Sequence, residues 1–550
     1  MARDLKPRRA ALHPLMLSLG VALFLALTSN AAFWRALAPL APADPVSGAV
    51  FLATTFAILV LALNLVLSVF ALPYLWKPAA VALLLVAALA AHFMDAYGVV
   101  IDRSMIQNVV ETDVREAGDL LTPGLLLRVL AFGLLPALLV ARAPLRFAGW
   151  RREALRRTAL VAATCVLVAG AIALQYKQFA LIGRGHAELR LLINPTSPLY
   201  AAWRYWEKRP KPTAVLPIAE DARRVVLAAG RRPLLVVLVV GETARAANFS
   251  LGGYERETNP LLAKLPVVYF DDVSACGTTT AISVPCMLSP YGRERYSDRK
   301  AKSHESLLDV LQRTGVSVLW RDNNSGCKSA CDRVPTQAGS ELRHPAFCQG
   351  DDCFDEVLLE GLPGWIDALP GDGFVVLHQQ GSHGPAYHKR SPQAWKRFLP
   401  ECAGAAVESC SREEIVNAYD NTILYTDYVL SRLIALLQRE AQHFDVAMLY
   451  VSDHGESLGE NGLYLHGLPW LLAPDTQTRV PMLAWLSDGF AAGRGVDRTC
   501  LAQRRHEPVS HDHLFHSVLG LFDVRTQVYA RELDLFAPCR ELPPRLLSGR

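Results

Sequence analysis

Five apolar segments in the first third of the chain constrain its fold more than any other feature. They run Leu15–Phe33, Gly48–Leu72, Ala79–Tyr97, Gly124–Val140 and Ala159–Leu174, and a helix needs roughly 20 apolar residues to cross a bilayer. The last two are short, and Arg128 lies inside the fourth. Hydrophobic residues form 51% of the chain and the mean hydropathy is +0.19, an excess that sits in these segments. A cleaved signal peptide is the alternative for the first, because Arg8 and Arg9 precede it and the small residues at Ser29–Ala32 resemble a cleavage site. Four further spans directly behind it favour an anchor.

Orientation follows from basic residues in the short connections. Arg3, Lys6, Arg8 and Arg9 at the N-terminus, and Arg142, Arg146, Arg151, Arg152, Arg156 and Arg157 between the fourth and fifth spans, belong in the cytoplasm. An odd number of spans then delivers everything after about Gln175 to the far side, which in a bacterium is the periplasm. Cysteine usage agrees. Of 11 cysteines only Cys165 lies in a span. The next eight form close neighbours, Cys276–Cys286, Cys327–Cys331, Cys348–Cys353 and Cys402–Cys410, as expected of local disulfides in an oxidising compartment. Cys500 and Cys539 make a fifth expected pair. Paired CxxC knuckles, which a structural zinc site needs, are missing from the sequence. The net charge of +4 is small, and there is no basic stripe interleaved with aromatics, so no nucleic-acid partner is expected.

Residues 1–175 therefore read as a membrane domain with five spans. Between the third and fourth runs MDAYGVVIDRSMIQNVVETDVREAGDLLTPG, which reads as a loop helix with Asn108, Thr112 and Glu116 at four-residue steps on one face. Residues 176–217 mix interfacial helices, with Trp203, Tyr205 and Trp206 as anchors, and a Pro-rich linker. From 218 to 550 the pattern changes. Short β-rich runs at Leu234–Val240, Val267–Phe270, Val316–Trp320, Phe374–Leu377, Val446–Val451 and Met482–Trp485 alternate with helical stretches such as His304–Thr314 and Ile415–Arg439. This predicts an α/β sandwich around a mainly parallel sheet, with its chemistry at the carboxyl ends of strands.

Two strand ends carry metal-ligand side chains. Glu242 follows LLVVLVVG, and Asp453 and His454 follow DVAMLYVS. One Glu, one Asp and one His suit a zinc ion, and an alcohol in the fourth position is the reactive one. VSACGTTTAISVPCMLSP offers three hydroxyls, Thr278, Thr279 and Thr280, and Thr280 is placed there as an alkoxide, since a threonine needs a base or a metal to become a nucleophile. His383 and His466, each on a Gly-flanked loop after a strand, are candidates for a second metal, for holding a phosphate or for passing a proton to the leaving group. Lys328 and Ser325, on a loop closed by Cys327 and Cys331, are candidates for a substrate phosphate.

VVGETARAANFSLGGYERETNP, CGTTTAISVPCMLSP, LWRDNNS, GSHGPAYHKR and VSDHGESLGENGLYLHG resemble the phosphoethanolamine transferases of the alkaline phosphatase and sulfatase superfamily, nearest to those acting on lipid A, the group that includes the mobile colistin-resistance enzymes. The likeness covers nearly the whole chain. It implies a membrane domain of five transmembrane helices and a periplasmic α/β domain of alkaline phosphatase/sulfatase type. It implies a zinc ion held by Glu242, Thr280, Asp453 and His454, with Thr280 the residue that becomes modified, and a second metal or phosphate site at His383 and His466. Asn108, Thr112, Glu116, Ser325 and Lys328 would line the donor-lipid pocket, with His378 nearby. The expected donor is phosphatidylethanolamine, the acceptor lipid A, the cofactor one zinc ion or two, and the protein a monomer of the inner membrane.

Rival readings are weaker on the same residues. A phosphatase or sulfatase would let water resolve the intermediate, and no formylglycine pattern surrounds Thr280. A lipoteichoic-acid-type glycerol phosphotransferase fits the Cys-rich loops less well. A transporter would need an ionisable pathway, and the spans hold little beyond Asp95 and Arg128.

Overall fold

The computed structural model describes residues 12–540 except 113, 209–213, 225–230, 339–340, 343 and 351, with backbone alone for 114–116 and 408. The basic N-terminal residues Arg3, Lys6, Arg8 and Arg9 lie outside the described residues. The chain forms two compact units, one of Met1–Ile106 with Leu121–Trp206 and one of Gln107–Leu120 with Glu207–Arg550.

In the first unit four helices are long and apolar enough to cross a membrane: Pro45–Val69, Trp76–Ala96, Pro123–Arg142 and Trp150–Leu174. The first predicted span is a broken one, Pro14–Thr28 followed by Ala31–Leu40 at a 60° bend. Asn30 and Asn194 explain why the break is tolerated. Asn30 Nδ2 donates to the carbonyls of Leu25 (3.0 Å) and Asn194 (2.9 Å), while Asn194 Nδ2 donates to those of Ser29 (3.0 Å) and Ala87 (2.8 Å). Backbone groups freed by the bend are thereby satisfied, as an apolar surrounding requires. Arg128 in the fourth span pairs with Asp95, which Arg35 also reaches at 3.0 Å. The fifth span starts at Trp150, so Arg151, Arg152, Arg156 and Arg157 occupy its opening turns instead of a loop. The helices Tyr176–Gly185 and Thr196–Lys208 follow. Trp203 and Trp206 are exposed as expected of anchors, but Tyr205 is buried and packs inward.

The second unit is built on a seven-stranded sheet, numbered here in chain order: β1 Leu234–Gly241, β2 Val267–Phe270, β3 Ser317–Asp322, β4 Thr336–Ala338, β5 Gly373–His378, β6 Asp445–Ser452 and β7 Met482–Leu486. Its order is β2-β7-β6-β1-β5-β3-β4. The neighbours from β6 through β4 are parallel, and β7 alone runs against both of its partners. Every residue of the central strand LLVVLVVG is buried, which is why it reads as an uninterrupted apolar run instead of an alternating one. Helix Arg412–Glu440 is started by a capping box between Ser411 and Glu414. With β1 and β6 side by side, the residues that follow their carboxyl ends meet at the middle of the sheet.

The predicted loop helix is two helices, Arg103–Glu111 and Val114–Asp119. The Thr112 hydroxyl turns back onto the Asn108 carbonyl at 2.6 Å where the first helix ends. Asn108, Thr112 and Glu116 therefore do not share one continuous helical face, and the Glu116 side chain lies outside the described residues. Gln107–Leu120 belongs to the second unit, held there by Gln107 on Asp298 (2.9 Å), Glu111 on Lys302, and Asp119 on Lys389 and Arg390. The ten cysteines outside the spans form the disulfides Cys276–Cys286, Cys327–Cys331, Cys348–Cys353, Cys402–Cys410 and Cys500–Cys539, and Cys165 is free.

Candidate active site

Glu242 leaves β1 and enters a sharp turn in which Thr243 takes φ +51°. A β-branched residue rarely adopts that conformation, and holding it there costs about 1–3 kcal/mol. Surrounding bonds fix it: the Thr243 amide donates to Asp453 Oδ1 (3.2 Å) and the Tyr419 hydroxyl donates to the Thr243 carbonyl (2.8 Å). From the other side the loop after β5 closes on Glu242. Gly381 sits at φ +54°, where a Cβ would lie 2.6 Å from the Glu242 carbonyl oxygen, so only glycine fits.

The turn aims the Glu242 carboxylate at the two residues that follow β6. Ligand atoms of Glu242, Asp453 and His454 all lie within 4.8 Å of one another, and all three residues are fully buried. His454 Nε2 stands 3.4 Å from Glu242 Oε1 and 3.3 Å from Asp453 Oδ2. Of the three consecutive threonines only Thr280 reaches this group. Its Oγ1 is 3.2 and 3.0 Å from the two Glu242 oxygens and 3.4 Å from His454 Nε2. Thr278 spends its hydroxyl on the Leu468 carbonyl at 2.7 Å, and the Thr279 hydroxyl is buried without a partner. Thr280 opens the helix Thr280–Met287, whose N-terminal end adds positive potential beside the hydroxyl.

The donor set fits a divalent cation on two observations. Asp453 Oδ2 is buried with no hydrogen bond. The Nδ1 of His454 lies 3.0 Å from the Gly455 carbonyl, and donating there leaves the Nε2 lone pair facing two carboxylates. Burial, with Glu242 beside it, pushes the Asp453 carboxyl up to about 7. Burial opposes charge on His454, yet Asp453 and Glu242 push its imidazole up to about 10. Despite its own burial, Glu242 is held below the usual carboxylate range by His454.

His466 packs against His454 with tilted rings whose centroids are 4.4 Å apart, and His383 meets His466 edge-on at 5.4 Å. Burial, then the neighbouring His454, pushes the His466 imidazole down. Its Nδ1 bonds Glu456 Oε2 at 2.8 Å, and the Tyr387 hydroxyl donates to the other oxygen at 2.6 Å. The Nε2 of His466 is thus the nitrogen left for chemistry. Lys328 Nζ donates to the Ser325 hydroxyl (2.8 Å), the Ser325 carbonyl (2.9 Å) and the Glu111 carbonyl (3.1 Å), which brings the end of the Arg103–Glu111 helix, and with it the Asn108 and Thr112 stretch, to the Ser325 and Lys328 loop. His378 is different. It is fully buried at the end of β5, bonded through Nδ1 to Asp322 at 3.1 Å and packed on Trp320, which makes it a support inside the sheet and not a surface for substrate.

Sequence reasoning passed over Asn324 and Glu456. Asn324 Nδ2 donates to Glu242 Oε2 at 2.7 Å and to the Gln379 carbonyl at 2.8 Å, locking the carboxylate. Its one signal was its place just past β3. Asn324→Ala is expected to lower metal affinity and turnover about 10- to 100-fold, as losing the partner of a ligand typically does; competition against a chromogenic chelator measures the first.

Comparison with known proteins places these features in a family. Residues 235–524 match the family model described as Sulfatase, and residues 59–209 match the one described as Phosphoethanolamine transferase EptA/EptB. The chain is 41% identical to the phosphoethanolamine transferase EptA of Escherichia coli K12, covering 97% of this chain and 98% of that one. It is 38% identical to the phosphatidylethanolamine transferase Mcr-1 of Escherichia coli, over 94% and 96%. The structure superposes on the integral membrane lipooligosaccharide phosphoethanolamine transferase A of Neisseria meningitidis with a TM-score of 0.93 at 36% identity, covering 97% of this chain and 100% of that one. The protein is a multi-pass protein of the bacterial inner membrane with an α/β catalytic domain of alkaline phosphatase/sulfatase type in the periplasm. The chain belongs to the phosphoethanolamine transferase family and is a transferase.

Proposed function

We propose that the protein moves phosphoethanolamine from phosphatidylethanolamine to a phosphate of lipid A through a covalent intermediate on Thr280. The observation that carries this reading is the isolation of one hydroxyl: Thr280 Oγ1 alone among three threonines lies 3.0–3.4 Å from Glu242 and His454. Glu242, Asp453 and His454, with the Thr280 oxygen as a fourth ligand, would hold a zinc ion. Bound there, zinc supplies the positive charge that lowers the pKa of the Thr280 hydroxyl and turns it into a nucleophile.

In the first step Thr280 Oγ forms a bond to the donor phosphorus, and the bond from phosphorus to the diacylglycerol oxygen breaks. The Thr280 hydroxyl gives up its proton to solvent, the departing oxygen takes one, and His466, with Nδ1 held by Glu456 and Nε2 free, is placed to hand it on. In the second step a lipid A phosphate oxygen attacks the same phosphorus, the bond to Thr280 breaks, and the threonine is restored. His383, and His466 while it carries the proton it is passing at Nε2, steady the charge that develops on the phosphoryl oxygens. The helix N-terminus at Thr280 adds to this. Ser325 and Lys328, with Asn108 and Thr112 on the neighbouring stretch, hold the donor headgroup. The product carries an added ammonium, so the modified surface attracts polymyxin-like cationic peptides less strongly.

The test is reconstitution of the purified full chain with phosphatidylethanolamine and lipid A. Equal amounts of diacylglycerol and phosphoethanolamine-modified lipid A are expected. Diacylglycerol released together with free phosphoethanolamine, and unmodified lipid A, would make the enzyme a hydrolase and overturn the reading.

A further inference from the structure

We propose that the turn Pro469–Ala473, with Leu471 at its tip, is the contact for the acyl chains of the acceptor glycolipid; this rests on the transferase reading above. The turn is tight, with the Leu472 and Ala473 amides donating to the Pro469 carbonyl at 2.8 and 3.0 Å. Its base is tied to the reaction centre. The Thr278 hydroxyl, two residues from the nucleophile, donates to the Leu468 carbonyl at 2.7 Å, and buried Gln477 receives the Leu468 amide at 3.2 Å. Trp470 packs against the main hydrophobic core, so the tip is not free to fold back. Leu471 is 94% exposed and Leu472 36% exposed, an apolar projection on a rigid stalk beside an active site.

Charge on the same face matches an anionic glycolipid. The Arg293 guanidinium stacks on the Trp470 ring at 4.1 Å, a geometry that leaves its donors for a phosphate. Arg295 is also exposed, against exposed Glu294 and half-buried Asp512, whose carboxylate takes the Arg293 amide at 2.9 Å. Among the described residues neither Arg293 nor Arg295 is in an ion pair. Placement in the sheet separates this face from the donor side. Ser325 and Lys328 follow β3 on one side of β1, and the turn lies in the connection from β6 to β7 on the other, with Glu242 at the end of β1 between them. A phosphorylated, acylated acceptor fits the cationic and apolar side better than a zwitterionic donor does.

The experiment uses full-length enzyme in mixed micelles and reads two steps separately: diacylglycerol release in a single turnover without acceptor, and transfer as a function of lipid A concentration. Leu471→Ser is expected to leave the first step unchanged and raise the acceptor KM about tenfold, the scale of losing a partly buried leucine contact. Leu471→Ile should keep the wild-type KM, and Arg293→Gln should raise it about threefold. Fully deacylated lipid A should show no difference between wild type and Leu471→Ser. An unchanged lipid A KM in Leu471→Ser, or an equal loss in diacylglycerol release, overturns the assignment. If the wild type itself releases no diacylglycerol without acceptor, the covalent reading fails instead, independently of the turn.

Discussion

Thr280→Ala is expected to abolish phosphoethanolamine transfer, by roughly 10⁴-fold or more, because on the proposed mechanism it deletes the atom that forms the bond to phosphorus. The fold should survive. The hydroxyl's partners are Glu242 and His454, and Glu242 keeps its bond from Asn324 at 2.7 Å, so the change removes one oxygen without emptying the cluster. Metal occupancy should therefore remain close to that of the wild type. Thr278→Ala, by contrast, cuts the tie to Leu468 and leaves the nucleophile in place, so a reduction and not a loss is expected. Mass spectrometry of lipid A from cells producing each variant reads both outcomes. Modification persisting in Thr280→Ala would remove this residue from the mechanism.

Glu242→Ala should have an effect of similar size for a different reason. The cluster is fully buried and held by one backbone turn, and Glu242 contributes the carboxylate that lies within reach of both Thr280 and His454. Removing it takes away one of the two charged ligands and leaves Asp453 and His454 with only the Thr280 hydroxyl, a neutral and weak donor, which is too little for a tightly held zinc ion. Zinc measured by elemental analysis of the purified protein should fall from near stoichiometric to about a tenth or less. Transfer activity should fall with it, and added zinc should not restore it. Full zinc content in Glu242→Ala would contradict the ligand assignment.

Much of this was legible in the sequence because burial writes itself into composition. β1 and β6 are apolar throughout since both their faces are covered, and the residues just past such runs had to be Glu242, Asp453 and His454. What escaped depends on partners distant in sequence. The break in the first span turns on Asn30, whose partner Asn194 lies 164 residues away. The connection between the third and fourth spans reads as a helix with Asn108, Thr112 and Glu116 on one face, yet Thr112 turns its hydroxyl onto the Asn108 carbonyl where the first of two helices stops, and ion pairs to Lys302 and Lys389 hold Gln107–Leu120 within the catalytic unit. Hydropathy also misses the start of the fifth span, because a helix need not begin where its apolar run does, and the charges at 151–157 sit in its opening turns. Of the three threonines the resemblance singled out Thr280, but that only its hydroxyl faces Glu242 while Thr278 turns to the Leu468 carbonyl depends on the path of the folded chain.

The most direct test of the central claim is peptide sequencing by tandem mass spectrometry. Purified full-length enzyme is incubated with phosphatidylethanolamine in the absence of lipid A, quenched and digested. The account predicts phosphoethanolamine on Thr280, discharged when lipid A is added before the quench. Diacylglycerol release from an enzyme that stays unmodified, or an adduct on Thr278 or Thr279, would contradict it.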